Sequence, residues 1–329
     1  MIPKTIYPDI AVIIVNYGTA ALAIAGVQSV LDHCGPEVEV HLVDNNSPEN
    51  DYSVIESVHQ ERNWGKQVKL YPEKINHGFG RGNNLVLKIL AERPVPPAKV
   101  LLLNPDAHLA NDVVNILSGF LDAHPEAGLA GASICRPDGT PVSAAFRFHS
   151  LFSELESTIR LGFVSRFFRR QVVALPPDQP TGKVDWVSGA AVMFRYNAVT
   201  DVGFFDPDFF LYYEEADLMR RMAVQGWEAW HVSEARVVHA EGASTKVRSH
   251  DVPRRRPPYW YDSRRLYFEK NHGRLQASLI AMTVLLATGL NKIITALRRR
   301  RSSLPLQFGR DYSRYVFWPL LFGPRSPRS

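Results

Sequence analysis

Cysteine is scarce in this chain, whose 329 residues include only Cys34 and Cys135. Two cysteines so far apart in sequence provide neither a disulfide framework nor the four-ligand spacing of a structural zinc site, so we expect a reducing compartment. A secretory signal peptide is not expected either, because the apolar run near the amino terminus is short and Asn16 interrupts it. The sequence also lacks an internal repeat and any Ser-His-Asp or Cys-His arrangement that would supply a covalent nucleophile.

Positive charge is concentrated at the carboxyl-terminal end of the chain. The net charge is +5, but from Lys246 onward there are 18 Lys or Arg against 4 Asp or Glu, whereas the first 245 residues hold 20 basic and 29 acidic side chains. An acidic body with a basic tail indicates attraction to a polyanion, either nucleic acid or anionic lipid. We therefore predict a body over residues 1–245 and a distinct region over residues 246–329.

Short apolar runs alternate with helical patterns in the body. The predicted strands are Ile10–Asn16, Val38–Val43, Val68–Leu70 and Val100–Leu103, with helices near Ala20–Cys34 and Asn83–Ala91. This alternation predicts an α/β fold with a mostly parallel sheet covered by helices on both faces. Ligand-binding groups gather at the carboxyl ends of the strands in such sheets, and the polar motifs below follow predicted strands.

Two early segments are candidates for nucleotide binding. Asp44 follows the second strand, where a carboxylate can accept hydrogen bonds from a ribose or a base, although a turn carboxylate can equally satisfy its own backbone. In Asn76–Asn84 (NHGFGRGNN), alternating glycines allow close backbone approach and Arg81 can meet a phosphate. The segment matches neither a dinucleotide fingerprint nor a P-loop, and a tight connection into the next helix is the alternative.

Candidate metal ligands come later. In the segment Leu101–Asp106 (LLLNPD), a buried strand delivers a carboxylate to the sheet edge. Asp106 can hold Mg²⁺ or Mn²⁺, which bind few protein carboxylates and fill their other positions with water and phosphate oxygens; an Asn-Pro-Asp turn is the alternative. His239 ends an alternating strand and can complete a metal site or touch a phosphate, although a lone His is more often structural.

Three carboxylates, Glu214, Glu215 and Asp217, follow the aromatic run Phe209–Tyr213. Crowded like charges beside apolar rings raise the pKa of one carboxyl group, which suits a general base. Asp217 and Arg221 are spaced to pair on one helix. The alternative is a helix amino terminus that carries acids because of its dipole.

In this order the segments resemble family 2 glycosyltransferases of the GT-A fold, particularly the rhamnosyltransferase-like members. The resemblance covers most of Ile10–Gly273 and is carried by VIIVNY, VDNNSPE, NHGFGRGNN, LLLNPDAHL, VDWVSGAAVMFR, FFLYYEEADLMRR and VVHAEGAS. It implies an α/β, Rossmann-like GT-A domain over residues 1–245 with a mostly parallel sheet flanked by helices. A helical, membrane-associating appendage over residues 246–329 is expected to follow.

The resemblance also implies residue roles. Asp106 is the expected metal ligand, His239 a second ligand or phosphate contact, and Glu215 the catalytic base beside Glu214 and Asp217. The family usually has Asp at the position of Glu215, so Glu214 stays an alternative base. The residues expected near the nucleotide sugar are Asn16, Asp44, Asn76, Gly78, Phe79, Arg81, Asn84, Asn104, Gly189 and Ala190.

The reaction implied is a single displacement that inverts the sugar's anomeric centre and depends on Mg²⁺ or Mn²⁺. The resemblance suggests dTDP-rhamnose as the donor and a saccharide hydroxyl, lipid-linked, as the acceptor, in cell-surface polysaccharide synthesis. A polyprenol-phosphate glycosyltransferase is the enzymatic alternative, and a basic nucleic-acid-binding protein with an inert α/β domain is the non-enzymatic one. A nucleotidyltransferase would need a glycine- and lysine-rich triphosphate loop, which Asn16–Thr19 does not provide.

The apolar content of the tail favours lipid over nucleic acid as the polyanion. Leu275–Asn291 carries no charge, and Arg298–Arg301 follow it. A spanning helix needs about 20 apolar residues, more than the run Leu279–Leu290 supplies. We expect an interfacial or re-entrant helix at the cytoplasmic face of the cell membrane, with a span or a helix packed on the body as alternatives. Phe146–Arg170 is expected to be a flexible insert over the site whose amphipathic character adds a second membrane contact.

Overall fold

The computed structural model describes residues 8–159, 168–240, 254–299, 302 and 304–324. Its strands are β1 (Ile10–Asn16), β2 (Val38–Asp44), β3 (Val68–Pro72), β4 (Lys99–Leu103), β5 (Ala107–Leu109), β6 (Ala127–Cys135), β7 (Pro141–Val142), β8 (Ala145–Phe146), β9 (Gly182–Val184), β10 (Trp186–Val187), β11 (Ala191–Arg195) and β12 (Glu228–His239). The helices of the body are α1 (Ala20–His33), α2 (Asp51–Glu61), α3 (Gly78–Ala91), α4 (Val113–Ala123), α5 (Leu151–Ile159), α6 (Tyr196–Asp201) and α7 (Glu214–Val224). Short 3-10 turns lie at Gly65–Gln67 and Arg169–Gln171.

The main sheet has the strand order β3-β2-β1-β4-β11-β6-β12-β5, with β7 beside β6 and β9 beside β12. The strands β3, β2, β1 and β4 are all parallel, as are β6 and β12. Strand β11 lies antiparallel between β4 and β6, with Ala191 opposite Leu103. The carboxyl end of β4 therefore meets the amino end of β11, and this junction forms part of the site described below.

Both faces of the sheet are covered, as predicted, because alternate side chains of the central strands enter different cores. In β1, Val12 and Ile14 belong to the cluster that includes residues of α1 and α4. Ala11 and Ile13 belong to the cluster on the opposite face, with residues of α3 and α7. The α/β class is confirmed.

The described C-terminal helices are α8 (Pro258–His272), α9 (Arg274–Leu297), α10 (Phe308–Tyr312) and α11 (Trp318–Phe322), with a π-helical turn at Ser313–Phe317 between the last two. They form a third core that also includes Phe209 and Ala216 of the body. The insert contributes to this region too, since Leu155 and Ile159 of α5 pack against Ala287 and Ile294 of α9. The C-terminal helices therefore pack directly on the body.

Two elements differ from the sequence-based expectation. Helix α3 begins at Gly78 rather than near Asn83, so the glycine-rich segment is its first turn and a half. Helix α9 has 24 residues and a mean hydropathy of 1.7 in its apolar window. Among the described residues it is the one helix long and apolar enough to cross a membrane by length and composition, and 33% of that window is buried inside the protein. The helix thus extends beyond the apolar run Leu279–Leu290 at both ends, from Arg274 to Leu297, and includes Lys292.

Candidate functional site

A cavity of about 760 Å³ opens at the carboxyl ends of β1, β2 and β4. One wall carries Asn45 and Asn76, another Asp106 and His239, and a third the pair Glu214 and Glu215. Acids that are far apart in the chain therefore converge, as the arrangement of parallel strand ends predicts.

Asn45 organises the wall that carries Asn76. Its side-chain amide donates to Asn76 Oδ1 (3.1 Å) and to the Gly78 carbonyl (3.0 Å), and its Oδ1 accepts from the His77 N–H (3.0 Å). Asn76 Oδ1 also accepts from the Gly78 N–H (2.8 Å). These bonds fix the start of α3 against the end of β2. Asn45 was not predictable as a site residue, because an Asn in a DNNS turn has no local feature that indicates such distant partners.

Asn16 and Asp44 lie just beneath this wall and are buried. The Asn16 amide donates to Asp44 Oδ1 (3.0 Å) and to Asp51 Oδ2 (2.9 Å), and Asp44 Oδ1 also accepts from the Ser47 hydroxyl (2.6 Å). Neither residue is among those that line the cavity. In this arrangement Asn16 positions the turn after β2. Asp44 is separated from the cavity, but the next residue, Asn45, lines it.

The glycines of α3 allow another part of the protein, rather than a phosphate, to approach this helix closely. A Cβ on Gly78, where φ is +76°, would lie 1.8 Å from the Phe210 carbonyl oxygen, and one on Gly80 would lie 3.0 Å from Phe205 Cβ. Asn84 holds the same segment, because its side-chain amide exchanges two hydrogen bonds with the backbone of Phe205 (2.8 and 3.1 Å).

Of the other donor-side candidates on α3, Phe79 lines the cavity and Arg81 does not. Arg81 Nε donates to the His77 carbonyl (2.8 Å). Gly78 and Phe79 therefore lie at the cavity, whereas Arg81 and Asn84 stabilise the helix and the loop beside it.

Asp106, just before β5, and His239, at the end of β12, form a pair where these two neighbouring strands meet. His239 Nε2 lies 2.9 Å from Asp106 Oδ1 and 3.4 Å from Asn104 Nδ2. The Ala240 N–H donates to the Asp106 carbonyl (3.0 Å), and the Asn104 N–H donates to the Ala190 carbonyl (2.9 Å). A carboxylate and an imidazole are thus held at the cavity wall by backbone bonds. The Gly242–Ser244 part of the VVHAEGAS element lies outside the described residues.

The carboxylate pair lies at the amino terminus of α7. Glu214 is 2% exposed, and its Oε2 accepts no hydrogen bond from any residue that the structure describes. Burial, and secondarily the charge of Glu215, raise the pKa of Glu214 well above its usual value. Glu215 is partly exposed. It packs on Gly189, where an added Cβ would lie 2.9 Å from Glu215 Oε1.

Asp217, the third predicted acid, is not at the cavity. It is fully buried, and its Oδ2 accepts from Arg221 Nε (2.9 Å) while its Oδ1 accepts from Asn271 Nδ2 (3.2 Å). Lys270 Nζ lies 3.6 Å from the same carboxylate. These contacts give Asp217 the role of fixing α7 to α8.

The two residues before the carboxylate pair have a strained backbone. Tyr212 and Tyr213 have φ values of +71° and +70°, a region that non-glycine residues rarely adopt. Helix α8 holds this turn, because Ser263 Oγ donates to the Leu211 carbonyl (2.9 Å) and Arg264 Nη1 donates to the Tyr213 hydroxyl (2.9 Å). The direction of Glu214 and Glu215 therefore depends on contacts from the C-terminal region.

An aromatic wall that sequence reasoning missed completes the cavity. Phe146 stacks on Trp186 with ring centroids 4.2 Å apart, and Trp260 of α8 also lines the space. His149 lies among these rings, and burial together with the charge of Arg264 lowers its pKa to about 3. The neutral imidazole has Nδ1 at 3.1 Å from Glu154 Oε1, and Glu154 forms an ion pair with Arg264.

Comparison with known families identifies the chain. The family described as "Glycosyl transferase family group 2" matches residues 99–321, and "Glycosyl transferase family 2" matches residues 11–171. The chain belongs to the family 2 glycosyltransferases. The predicted resemblance is therefore confirmed.

Relatives of this glycosyltransferase are named as rhamnosyltransferases. N-acetylglucosaminyl-diphospho-decaprenol L-rhamnosyltransferase of Mycobacterium tuberculosis is 30% identical over 188 residues, which cover 54% of this chain and 60% of the relative. Rhamnosyltransferase WbbL of Escherichia coli is 23% identical over 168 residues, 50% of this chain and 61% of the relative. The chain thus spans about three fifths of the length of each curated relative.

Solved structures establish the fold of this glycosyltransferase as GT-A. A GalNAc-T7 complex with UDP, GalNAc and Mn²⁺ has a TM-score of 0.55 and 12% identity, covering 99% of this chain and 60% of that one. The mannosyltransferase PcManGT of Pyrobaculum calidifontis with GDP-Man and Mn²⁺ has a TM-score of 0.55 and 16% identity, and the match covers 97% of this chain and 86% of that one. TarS of S. aureus with UDP-GlcNAc has a TM-score of 0.55 and 14% identity, and the match covers 95% of this chain and 81% of that one.

Proposed function

We propose that this family 2 glycosyltransferase transfers a sugar from a nucleoside diphosphate sugar to a saccharide hydroxyl, with inversion at the anomeric carbon. The observation that carries the proposal is that a carboxylate pair, Glu214 and Glu215, and an Asp–His pair, Asp106 and His239, line the same cavity. The first pair offers a base for the acceptor hydroxyl, and the second offers ligands for a cation beside the departing diphosphate.

Glu215 is the base in this proposal. It is the more exposed of the two glutamates and packs on Gly189, beside which the transferred sugar is expected. Burial and, secondarily, the charge of Glu215 raise the pKa of Glu214, which favours its protonated form and so reduces like-charge repulsion beside Glu215. Glu215 accepts the hydroxyl proton as the acceptor oxygen bonds to the anomeric carbon and the bond from that carbon to the diphosphate oxygen breaks.

Asp106 and His239 would hold the Mg²⁺ or Mn²⁺. Among the described residues no cluster of three or more His, Cys, Asp or Glu side chains could enclose a metal ion. Such enclosure is not required, because these ions commonly keep one or two protein ligands and take the rest from water and phosphate. When bound, the ion neutralises charge on the leaving nucleoside diphosphate.

The donor in this proposal is dTDP-rhamnose, and the acceptor is a lipid-linked saccharide used for cell-surface polysaccharide. Both relatives are named as rhamnosyltransferases, and the name of the mycobacterial one specifies a polyprenyl diphosphate-linked sugar. An acceptor anchored in lipid requires the enzyme to work at the membrane surface, which we assign to the cytoplasmic face. The basic C-terminal region then provides the membrane attachment.

The decisive experiment incubates the full chain and Mn²⁺ with dTDP-rhamnose, UDP-sugars and GDP-sugars, offering polyprenyl diphosphate-linked GlcNAc or polyprenyl phosphate as acceptor. We expect rhamnose on the GlcNAc, with an anomeric configuration opposite to that of the donor by NMR. Glu215→Gln should lower turnover by about 10² to 10⁴-fold, whereas the exposed Glu61→Gln should not. A product on polyprenyl phosphate would favour the alternative acceptor class, and retention of configuration would exclude the mechanism.

A further inference from the structure

The outer face of α9 is an exposed apolar stripe. Its seven members recur every three or four residues, so they lie on one side of the helix: Leu275, Leu279, Met282, Leu286, Leu290, Ile293 and Leu297. Leu286 is 68% exposed and Leu297 is 79% exposed. No polar residue interrupts this stripe, which we call the α9 stripe.

The opposite face of α9 packs against the rest of the protein. Ala277, Ile280, Ala281 and Val284 are buried in the C-terminal core. Polar groups on this face are also satisfied by the protein, since Asn291 Nδ2 donates to the Ile159 carbonyl (3.0 Å) and its Oδ1 accepts from the Ser302 hydroxyl (2.8 Å). A membrane-crossing α9 would have to abandon all of these contacts.

The surroundings of the α9 stripe are basic. The sequence has no acidic residue between Glu269 and Asp311. Exposed cations lie on α9 and just after it, and on or near α10: Lys292, Arg298, Arg299, Arg310 and Arg314. Pairing of two such surfaces would bring like charges together, whereas anionic lipid headgroups complement them.

Aromatic side chains adjoin the amino end of the stripe. Arg274, the first residue of α9, donates to the carbonyls of Leu320 (2.6 Å) and Gly323 (2.6 Å), which fixes α11 beside it. On α11, Trp318 is 51% exposed and stacks with Phe322, which is 78% exposed. Trp is favoured at the headgroup level of a bilayer.

We infer that the α9 stripe, together with Trp318 and Phe322, is a lipid-contacting surface that lies in the plane of an anionic membrane rather than across it. This inference rests on the membrane attachment in the proposed function and specifies its residues and orientation. The helix that enters the lipid surface directly follows α8, whose Tyr259 and Trp260 line the cavity. Membrane contact and the cavity are thus adjacent along the chain.

Vesicle binding tests the surface. The triple variant Leu279→Gln, Leu286→Gln, Ile293→Gln should bind phosphatidylcholine–phosphatidylglycerol vesicles about tenfold or more weakly than wild type, because three apolar side chains no longer enter lipid. The matched control replaces exposed apolar residues elsewhere, Val54→Gln, Val95→Gln and Val224→Gln, and should bind like wild type. Thermal unfolding of each variant checks that the fold is intact.

Equal vesicle binding by the two triple variants would overturn the inference, as would complete release of the wild type from vesicles by about 1 M salt, where headgroup attraction is screened. A dimer that the stripe variant dissociates without any change in lipid binding would identify a second copy as the occupant and also overturn it. Sedimentation without lipid measures this outcome.

Orientation is measured separately, with fluorophores on single cysteines at positions 275, 286 and 297 after Cys34 and Cys135 are changed to Ser. Depth-dependent quenching should place all three probes at similar shallow depths, whereas a much deeper probe at 286 would indicate a span. Transfer to a water-soluble acceptor analogue should be unchanged in the stripe variant. Absence of that transfer in wild type would contradict the proposed function and leave the lipid result standing.

Discussion

Arg264 Nη1 donates a 2.9 Å hydrogen bond to the hydroxyl of Tyr213, the residue immediately before the carboxylate pair. Arg264 is buried, and it also forms an ion pair with Glu154 from the insert. One guanidinium of the C-terminal region therefore contacts both the insert and the strained turn that directs Glu214 and Glu215.

Tyr213→Phe should lower kcat by about tenfold while leaving KM for the donor nearly unchanged, because it removes the bond that holds the strained turn and leaves the donor wall intact. Tyr261→Phe is the matched control, since the Tyr261 hydroxyl is buried with no hydrogen-bond partner among the described residues. Steady-state kinetics on both variants measure the effect. A kcat for Tyr213→Phe equal to that of Tyr261→Phe would show that Tyr213 is not a positioning residue.

Gly189→Ala should reduce turnover by about tenfold or more, since its Cβ would lie 2.9 Å from Glu215 Oε1 and displace the proposed base. Gly119→Ala, in α4, has no atom within 4 Å of the added methyl and should be active and slightly more stable. Kinetics and thermal unfolding of the pair separate displacement of Glu215 from a general effect of alanine. Wild-type turnover in Gly189→Ala would contradict the packing.

Glu214→Gln should change how stability depends on pH. The folded-state pKa of Glu214 is raised, so its contribution to stability is fully present below the unfolded value of about 4.3 and is lost as pH rises through the folded pKa. Glutamine does not titrate, so the Tm of the variant minus that of wild type should increase from acid to neutral pH. Glu92→Gln on the surface should show no such trend, and a flat difference for Glu214→Gln would contradict the raised pKa.

Asp106→Asn and His239→Gln should each weaken Mn²⁺-dependent binding of dTDP, by about tenfold or more. His108 is exposed and close in sequence to Asp106, so His108→Gln is the matched control and should bind like wild type. Calorimetry with and without Mn²⁺ makes the comparison. Affinity that is unchanged by chelation of the metal would count against the site.

Truncation after residue 245 should not yield a soluble folded domain. It would uncover Leu155 and Ile159 of α5 and remove Arg264, which forms the ion pair with buried Glu154. Breaking a buried ion pair in this way costs about 3–5 kcal/mol. That is a large part of a domain's free energy of unfolding, which is about 5–15 kcal/mol. Gel filtration of the fragment tests this, and a monomeric peak with native circular dichroism would show that the body folds alone.

Local patterns predicted the strands of the amino-terminal half well. Strand β1 has the predicted boundaries Ile10–Asn16, because a continuous apolar run bounded by a turn leaves few alternatives. The convergence of Asp106, His239 and Glu215 on one cavity was also predictable, since each follows or ends a strand or begins a helix at the same sheet edge.

Contacts between distant segments were not predictable from these patterns. Asn45 and His149 gave no local signal, because their roles depend on partners that only the folded chain brings near. The glycine pattern of α3 is compatible with phosphate binding or with a tight connection into the helix, and only the folded chain shows that Phe205 and Phe210 fill the space beside the glycines. Periodicity identifies which face is buried but does not identify the neighbour.

Gly273, with φ of +77°, is the single residue between α8 and α9. With α9 resting on lipid as proposed, this short connection would give the cavity wall formed by α8 little freedom to rise or tilt, and Glu214 and Glu215 would stay at a nearly constant height above the bilayer. The proposed arrangement would therefore favour acceptors whose free hydroxyl lies at that height above the lipid.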